Sequence, residues 1–156
     1  MHAIQIKQAD LTRPDHAEIF LHLLSAYMQD PKGQMNPDAT PPDPSTAENL
    51  SRYGHAEVFF AKLGDAHVGM AVCFVGFSTF RNRPLLNIHD LIVLPAYRRN
   101  GAARAMLAHI EAFAREHGAC KLTLEVREDN EAADRLYTAF GFAEEPVPMH
   151  FKTKYL

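Results

Sequence analysis

"LLNIHDLIVLPAYRRNGAARAMLAHIEAFAREHGACKLTLEV", residues 85–126, changes its hydrophobic period twice. Residues 85–94 form a short apolar run of strand length, and Pro95 then interrupts it. From Ala103 the apolar residues Met106, Leu107, Ile110, Phe113 and Ala114, with His117, recur at the three-and-four spacing of a helix that lays one stripe on a sheet. Gly118 stops that helix as a C-terminal cap, and "KLTLEV" follows with Leu122, Leu124 and Val126 on one face of a strand. Strand, helix, strand is a crossover unit, so its two strands should run parallel.

The rest of the chain builds outward from this unit. "AIQIKQA" alternates like a short strand, and Pro14 opens a helix carrying Ile19, Phe20, Leu23, Leu24, Tyr27 and Met28. Residues 30–44 are rich in Pro, Gly, Asp and Asn and read as a loop within the domain; "STAENLSRYG" then forms a short helix capped by Ser45 or Thr46. "AEVFFAKLGDAHVGMAVCFVGFSTF" reads as two antiparallel strands joined at Gly64-Asp65. Asp129 or Asn130 caps a helix with Ala133, Leu136, Tyr137 and Phe140, and "MHFKTKYL" reads as a closing strand. The expected fold is α/β (α+β): one domain over residues 1–156, with a mixed, mostly antiparallel sheet flanked by helices.

A chain of 156 residues, 47% hydrophobic and 22% charged, is long enough for one core. Its net charge of -3 argues against nucleic acid as the main partner and favours a small molecule. The first residues, "MHAIQIKQADLTRPDH", lack the basic lead and apolar stretch of a signal peptide, and no run is long enough to cross a bilayer, so a cytoplasmic protein without membrane association is expected. Cys73 and Cys120 lie in apolar strand-like runs without C-x-x-C spacing and read as buried reduced thiols. The nine histidines are scattered without ligand spacing, so no metal is expected.

Gly101 falls at the start of the helix, where backbone N–H groups lack intrahelical acceptors and the macrodipole presents partial positive charge. There a glycine admits a phosphate close to the main chain, Ala102 and Ala103 leave room, and Arg98 and Arg99 add charge. A solvated loop whose arginines face water has the same composition. A Walker loop is absent, and Gly101 has no second glycine within six residues for a dinucleotide fingerprint. What is present is R-x-x-G-x-[GA], Arg98, Arg99, Asn100, Gly101, Ala102, Ala103, after "DLIVLPAY" and followed about 25 residues on by "REDNEAADRLYTAFGF".

That combination resembles the GNAT N-acetyltransferase superfamily, well over residues 57–156 and by element order before them. The resemblance implies acetyl-CoA as cosubstrate, with its site formed by the parallel β-α-β unit and acetyl passed directly to an amine. It implies that Leu91 and Val93 hold the pantetheine arm through main-chain groups, that Arg98 through Ala103 hold the pyrophosphate, and that Asn130 and Ala133 lie at the pantetheine. Tyr137 matches the tyrosine that reprotonates the departing thiolate; without the motif it would read as a core aromatic. Within the superfamily, "VGMAVCFVGFSTFRNRPLLNIHDLIVLPAYRRNG" looks most like the diamine and polyamine (spermidine/spermine, thialysine) type. Ala103 stands where glycine is commoner, and His89 where those enzymes usually carry a glutamate.

His89 suits the chemistry on its own terms. An ammonium must lose a proton before attacking a thioester, and a histidine side chain, ordinarily titrating near pH ~6.5, can receive it. In a regular strand His89 would share a face with Leu91 and Val93 while Asp90, a candidate for the substrate ammonium, points to the other, unless a bulge resets the register. A hydrogen-bonded strand histidine and a loop-anchoring aspartate are the structural alternatives. The function expected is acetyl-CoA-dependent acetylation of a primary amine such as a diamine, polyamine or lysine analogue. Alternatives are a protein lysine, a protein N-terminus or an aminoglycoside as acceptor, or a CoA-binding module without transfer. By analogy with the family a homodimer is expected.

Overall fold

Gly64 and Asp65 alone connect β2 (Ala56–Leu63) to β3 (Ala66–Ser78), and Gly64 has φ +60°, the sign that a two-residue hairpin of the II′ class requires at its first central residue. The computed structural model describes residues 3–32, 40–147 and 149–156; residues 33–39 of the expected loop lie outside the described residues. The chain divides into two compact units, residues 1–125 and 126–156.

In the first unit β1 (Ile4–Gln8), β2, β3, β4 (Arg83–Val93) and β5 (Leu122–Leu124) form one sheet in the order β1-β2-β3-β4-β5. The first three pairings are antiparallel and β4–β5 is parallel, as the crossover reading requires. Successive residues of a strand face opposite ways, so the sheet has two apolar faces. On one, Val58, Phe60, Met70, Val72 and Ile92 pack with Phe20 and Leu23 of α1 (Pro14–Gln29) and Ala47 of α2 (Thr46–Tyr53). The other carries α3 (Ala102–Glu116), which buries Met106, Leu107, Ile110 and Ala114 against β1 through β4. Each such large side chain stabilises the fold by about 1.5–3 kcal/mol. At the front of the stripe Ala102, not Ala103, is buried.

Gly69 lets α3 sit this close. A Cβ there would lie 2.6 Å from the Ile92 carbonyl oxygen and 3.2 Å from Met106 Cε, and the main-chain atom cannot yield. Gly69→Ala should therefore lower stability by about 1–3 kcal/mol, read as a lower urea midpoint at unchanged m-value.

Several sequence expectations change in the structure. β5 covers three residues of "KLTLEV", and Val126 lies beyond it, because the β4–β5 ladder ends at Ile88↔Leu124, next to a bulge in β4. Cys120 precedes β5 and is half-buried, whereas Cys73 is fully buried. Ser45 is the N-cap of α2 but its side chain makes no cap bond; Asp43 Oδ1 instead accepts from the Ser45 N–H at 2.8 Å. In the second unit α4 (Glu131–Phe140) is capped by Asn130, whose Oδ1 accepts from the Ala133 N–H at 3.4 Å, and is closed by Gly141 at φ +104°. "MHFKTKYL" is not a strand: residues 149–156 are irregular and exposed, and the described residues of this unit form no strand.

Candidate active site

Opposite Val72 and Cys73 of β3, β4 places Asp90 and Ile88, so His89 is the extra residue of a β-bulge. Two consequences follow for the site. Beyond Ile88 the outer edge of β4 has no partner strand among the described residues. The Leu94 N–H donates to the Val68 carbonyl at 2.9 Å, and by the antiparallel alternation the N–H and C=O groups of Leu91 and Val93 point to that open edge. The bulge also resets the faces. His89 meets the ring of Phe74, with centroids 5.1 Å apart, on the face where Val72 pairs with Asp90 and Met70 with Ile92. His89 and Asp90 thus share the α1/α2 face, and His89 does not share that of Leu91 and Val93 as regular alternation would have it. Burial pushes the Asp90 carboxyl up from its ordinary value, with His89 pulling the other way.

The loop before α3 is built by backbone conformation. Arg98 has φ -67°, Arg99 +63° and Gly101 +85°, while Asn100 and Ala102 are not among the positive-φ residues. Arg98 itself is extended, with ψ 157°, so the pairing of left-handed and right-handed residues that makes an anion-binding nest falls at Gly101, with ψ 0°, and the helical Ala102 after it. Gly101 caps α3 without a side-chain acceptor and the first turn has no acidic residue, so the dipole of α3 and its N-terminal N–H groups are left uncompensated by the helix itself. Among the described residues, its own chain neighbours aside, no atom lies within 4 Å of a Cβ built on Gly101. The two arginines differ. Arg98 donates from Nε to the Val93 carbonyl at 3.0 Å and pairs with Asp30, just past the end of α1, so two of its guanidinium nitrogens are engaged within the protein. Arg99 is exposed.

In the second unit, Asn130 and Ala133 are joined by the cap bond already described. The Tyr137 ring packs edge-on against Phe142, with centroids 5.9 Å apart, and burial pushes its hydroxyl up from the ordinary tyrosine value. A phenol that keeps its proton is a donor. The Cys73 thiol is pushed up to about 12, by burial first and then by Glu57 and Asp90, so it is not a ready nucleophile.

The sequence reading did not find the left-handed Arg99, the Arg98–Asp30 pair, the ring of Phe74 beside His89 or that of Tyr53 beside Phe74. The pair spans 68 residues, and the ring contacts join α2 to β3 and β3 to β4, so neither has a local signal.

The profile of the Acetyltransferase (GNAT) family matches residues 18–142. Streptothricin acetyltransferase of Streptomyces lavendulae is 41% identical over 69 residues, 44% of this chain; the matched stretch spans only 35% of that relative's length. Thialysine N-epsilon-acetyltransferase of Caenorhabditis elegans is 28% identical over 135 residues, covering 83% of this chain and 78% of that one. Among solved structures, an aminoglycoside acetyltransferase from an uncultured soil metagenomic sample, in complex with trehalose, superposes with a TM-score of 0.80 at 20% identity, covering 97% of each chain. The bulged β4 with its open edge, the nest ahead of α3 and the profile match over most of the sequence agree: the chain belongs to the Acetyltransferase (GNAT) family.

Proposed function

We propose that this protein transfers the acetyl group of acetyl-CoA directly to a primary amine, and that its acceptor is a small molecule of the diamine, polyamine or lysine-analogue kind. The observation that carries the reading is the nest of N–H groups at the start of α3, reached from the open edge of β4 that also presents His89 and Asp90 at its bulge. The 28% identical thialysine enzyme, which aligns over most of this chain, supports the acceptor class. We read residues 1–156 as one catalytic domain acting as a cytoplasmic homodimer without a metal. Transfer to a protein lysine, a protein N-terminus or an aminoglycoside is the alternative, and a CoA-binding module without transfer is the remaining one.

The residues present fit the cosubstrate. A pyrophosphate would be held by the main-chain N–H groups of Arg99 through Ala103 with the Arg99 guanidinium, and Arg98 would shape the loop. The pantetheine would bond to the outward main-chain groups of Leu91, and Val93 would hold the acetyl end of the same cosubstrate through its N–H; the cosubstrate roles of Asn130 and Ala133 rest on the family resemblance. Acetyl-CoA, when bound, supplies a thioester as the acyl donor. His89 accepts a proton from the ammonium, which the Asp90 carboxylate holds beside it. The Val93 N–H donates to the carbonyl oxygen as negative charge develops on it. Tyr137 holds the proton that the leaving sulfur requires. The inert Cys73 thiol supports direct transfer over passage through that cysteine.

A thiol-release screen over amines, with products identified by mass, tests the reading; thiol release without added amine would favour the non-transferring module. The loop has its own test. Gly101→Val imposes about 1–2 kcal/mol of left-handed strain and fills the cradle with methyl groups. Acetyl-CoA should raise the melting temperature of the parent and leave that of the variant nearly unchanged. An equal rise in both would remove the pyrophosphate assignment.

A further inference from the structure

Tyr53, Phe74 and His89 come from α2, β3 and β4, yet their rings form one row. Tyr53 is the last residue of α2, and Gly54 at φ +75° turns the chain at once into β2, which fixes where the ring stands. Its centroid lies 5.8 Å from that of Phe74 with the planes at 85°, and His89 lies 5.1 Å from Phe74 with the planes at 67°. β4 neighbours β3 in the sheet, so His89 reaches Phe74 from the adjoining strand, and Tyr53 reaches it from the end of α2. Phe74 is half-buried and packed on the core cluster, whereas Tyr53 is 59% exposed and His89 is exposed. A rooted ring flanked by two steeply inclined, exposed ones is an aromatic floor with two walls. On the same sheet face, two residues back along β3, Val72 pairs with Asp90, so one carboxylate stands at the end of the row beside the candidate base.

We propose that Tyr53, Phe74 and His89 with the carboxylate of Asp90 form the acceptor subsite, and that it takes a primary amine carried on an alkyl or arylalkyl body. The inference rests on the transfer reading above and names its substrate class. The ammonium pairs with Asp90 next to His89, and the carbon body lies along Phe74 and Tyr53. Apolar surface gains from leaving water against these rings, and a second ammonium, as in a diamine, can lie over the face of Tyr53. A polyhydroxylated ring gains little here, because rings cannot replace the hydrogen bonds its hydroxyls make with water.

The test compares 2-phenylethylamine, 1,5-diaminopentane, ethanolamine and kanamycin as acceptors for the parent, Tyr53→Ser and Tyr53→Phe. The two amines with carbon bodies should show the highest kcat/KM. Tyr53→Ser should raise their KM about 3–10-fold, the worth of one aromatic contact, with the acetyl-CoA melting shift unchanged, and Tyr53→Phe should restore it. Tyr53 is largely exposed, so neither variant should unfold the protein. A preference for kanamycin or ethanolamine, or a KM indifferent to Tyr53→Ser, overturns the proposal. If no amine is acetylated although acetyl-CoA binds, the transfer reading fails by itself. Titration of 2-phenylethylamine into the CoA-loaded protein, followed by NMR, then decides the subsite: binding that Tyr53→Ser weakens sustains it, and no binding overturns it.

Discussion

Tyr137→Phe is expected to lower kcat about 10²-fold while leaving the affinity for acetyl-CoA nearly intact, as loss of a general acid should. The substitution deletes one oxygen and keeps the ring that packs edge-on against Phe142, so the fold around α4 has no reason to change. The sign of its pH dependence follows from burial. Because burial moves the hydroxyl upward, the donor form persists through neutral and mildly alkaline pH, and activity that depends on it is lost only as pH rises through the elevated value. A parent enzyme whose basic limb sets in well below the ordinary tyrosine value of about 10 must owe that limb to another group. Steady-state kinetics of the variant, with acetyl-CoA affinity read separately from the melting shift, checks both statements. Full activity would return Tyr137 to the role of a packing residue.

His89→Ala should be comparably damaging at neutral pH, roughly 10²-fold in kcat, and should recover as pH rises toward the pKa of the acceptor amine, where free amine no longer needs a base. In the parent, kcat should fall toward acid pH because a protonated base cannot accept the amine's proton, and in the variant that acid limb should vanish. His89→Glu puts a carboxylate at the bulge and should retain more activity at neutral pH than alanine. Identical profiles for parent and both variants would leave His89 as a wall of the aromatic row, with the proton leaving through water or Asp90.

The sequence carried the parts of this protein whose causes are local. The period change over residues 85–126 was enough for the parallel pairing of β4 and β5, and Gly64-Asp65 for the β2–β3 hairpin, because periodicity and turn chemistry act over a few residues. Gly101 was legible as the N-terminus of α3, since a helix start needs only its own flanking residues. The same local logic misread "MHFKTKYL": alternation describes a strand only if a sheet edge accepts it, and the described residues of the unit holding it form none.

Tertiary structure alone decided the site's handedness. Whether His89 stands with Leu91 or with Asp90 depends on one unmatched residue in the β3–β4 register, a property of two strands together that neither encodes by itself. The bulge also ends the β4–β5 ladder and frees the edge at Leu91 and Val93. Arg98 was legible as a charge beside a glycine, but its engagement with the Val93 carbonyl and with Asp30 arises only when α1 and β4 are packed on one sheet. The sequence by itself determined the crossover unit, the helix start at Gly101 and the family resemblance. The fold determined which face carries His89 and Asp90 and which ring stands beside them, because register and packing are set by contacts far apart in the chain.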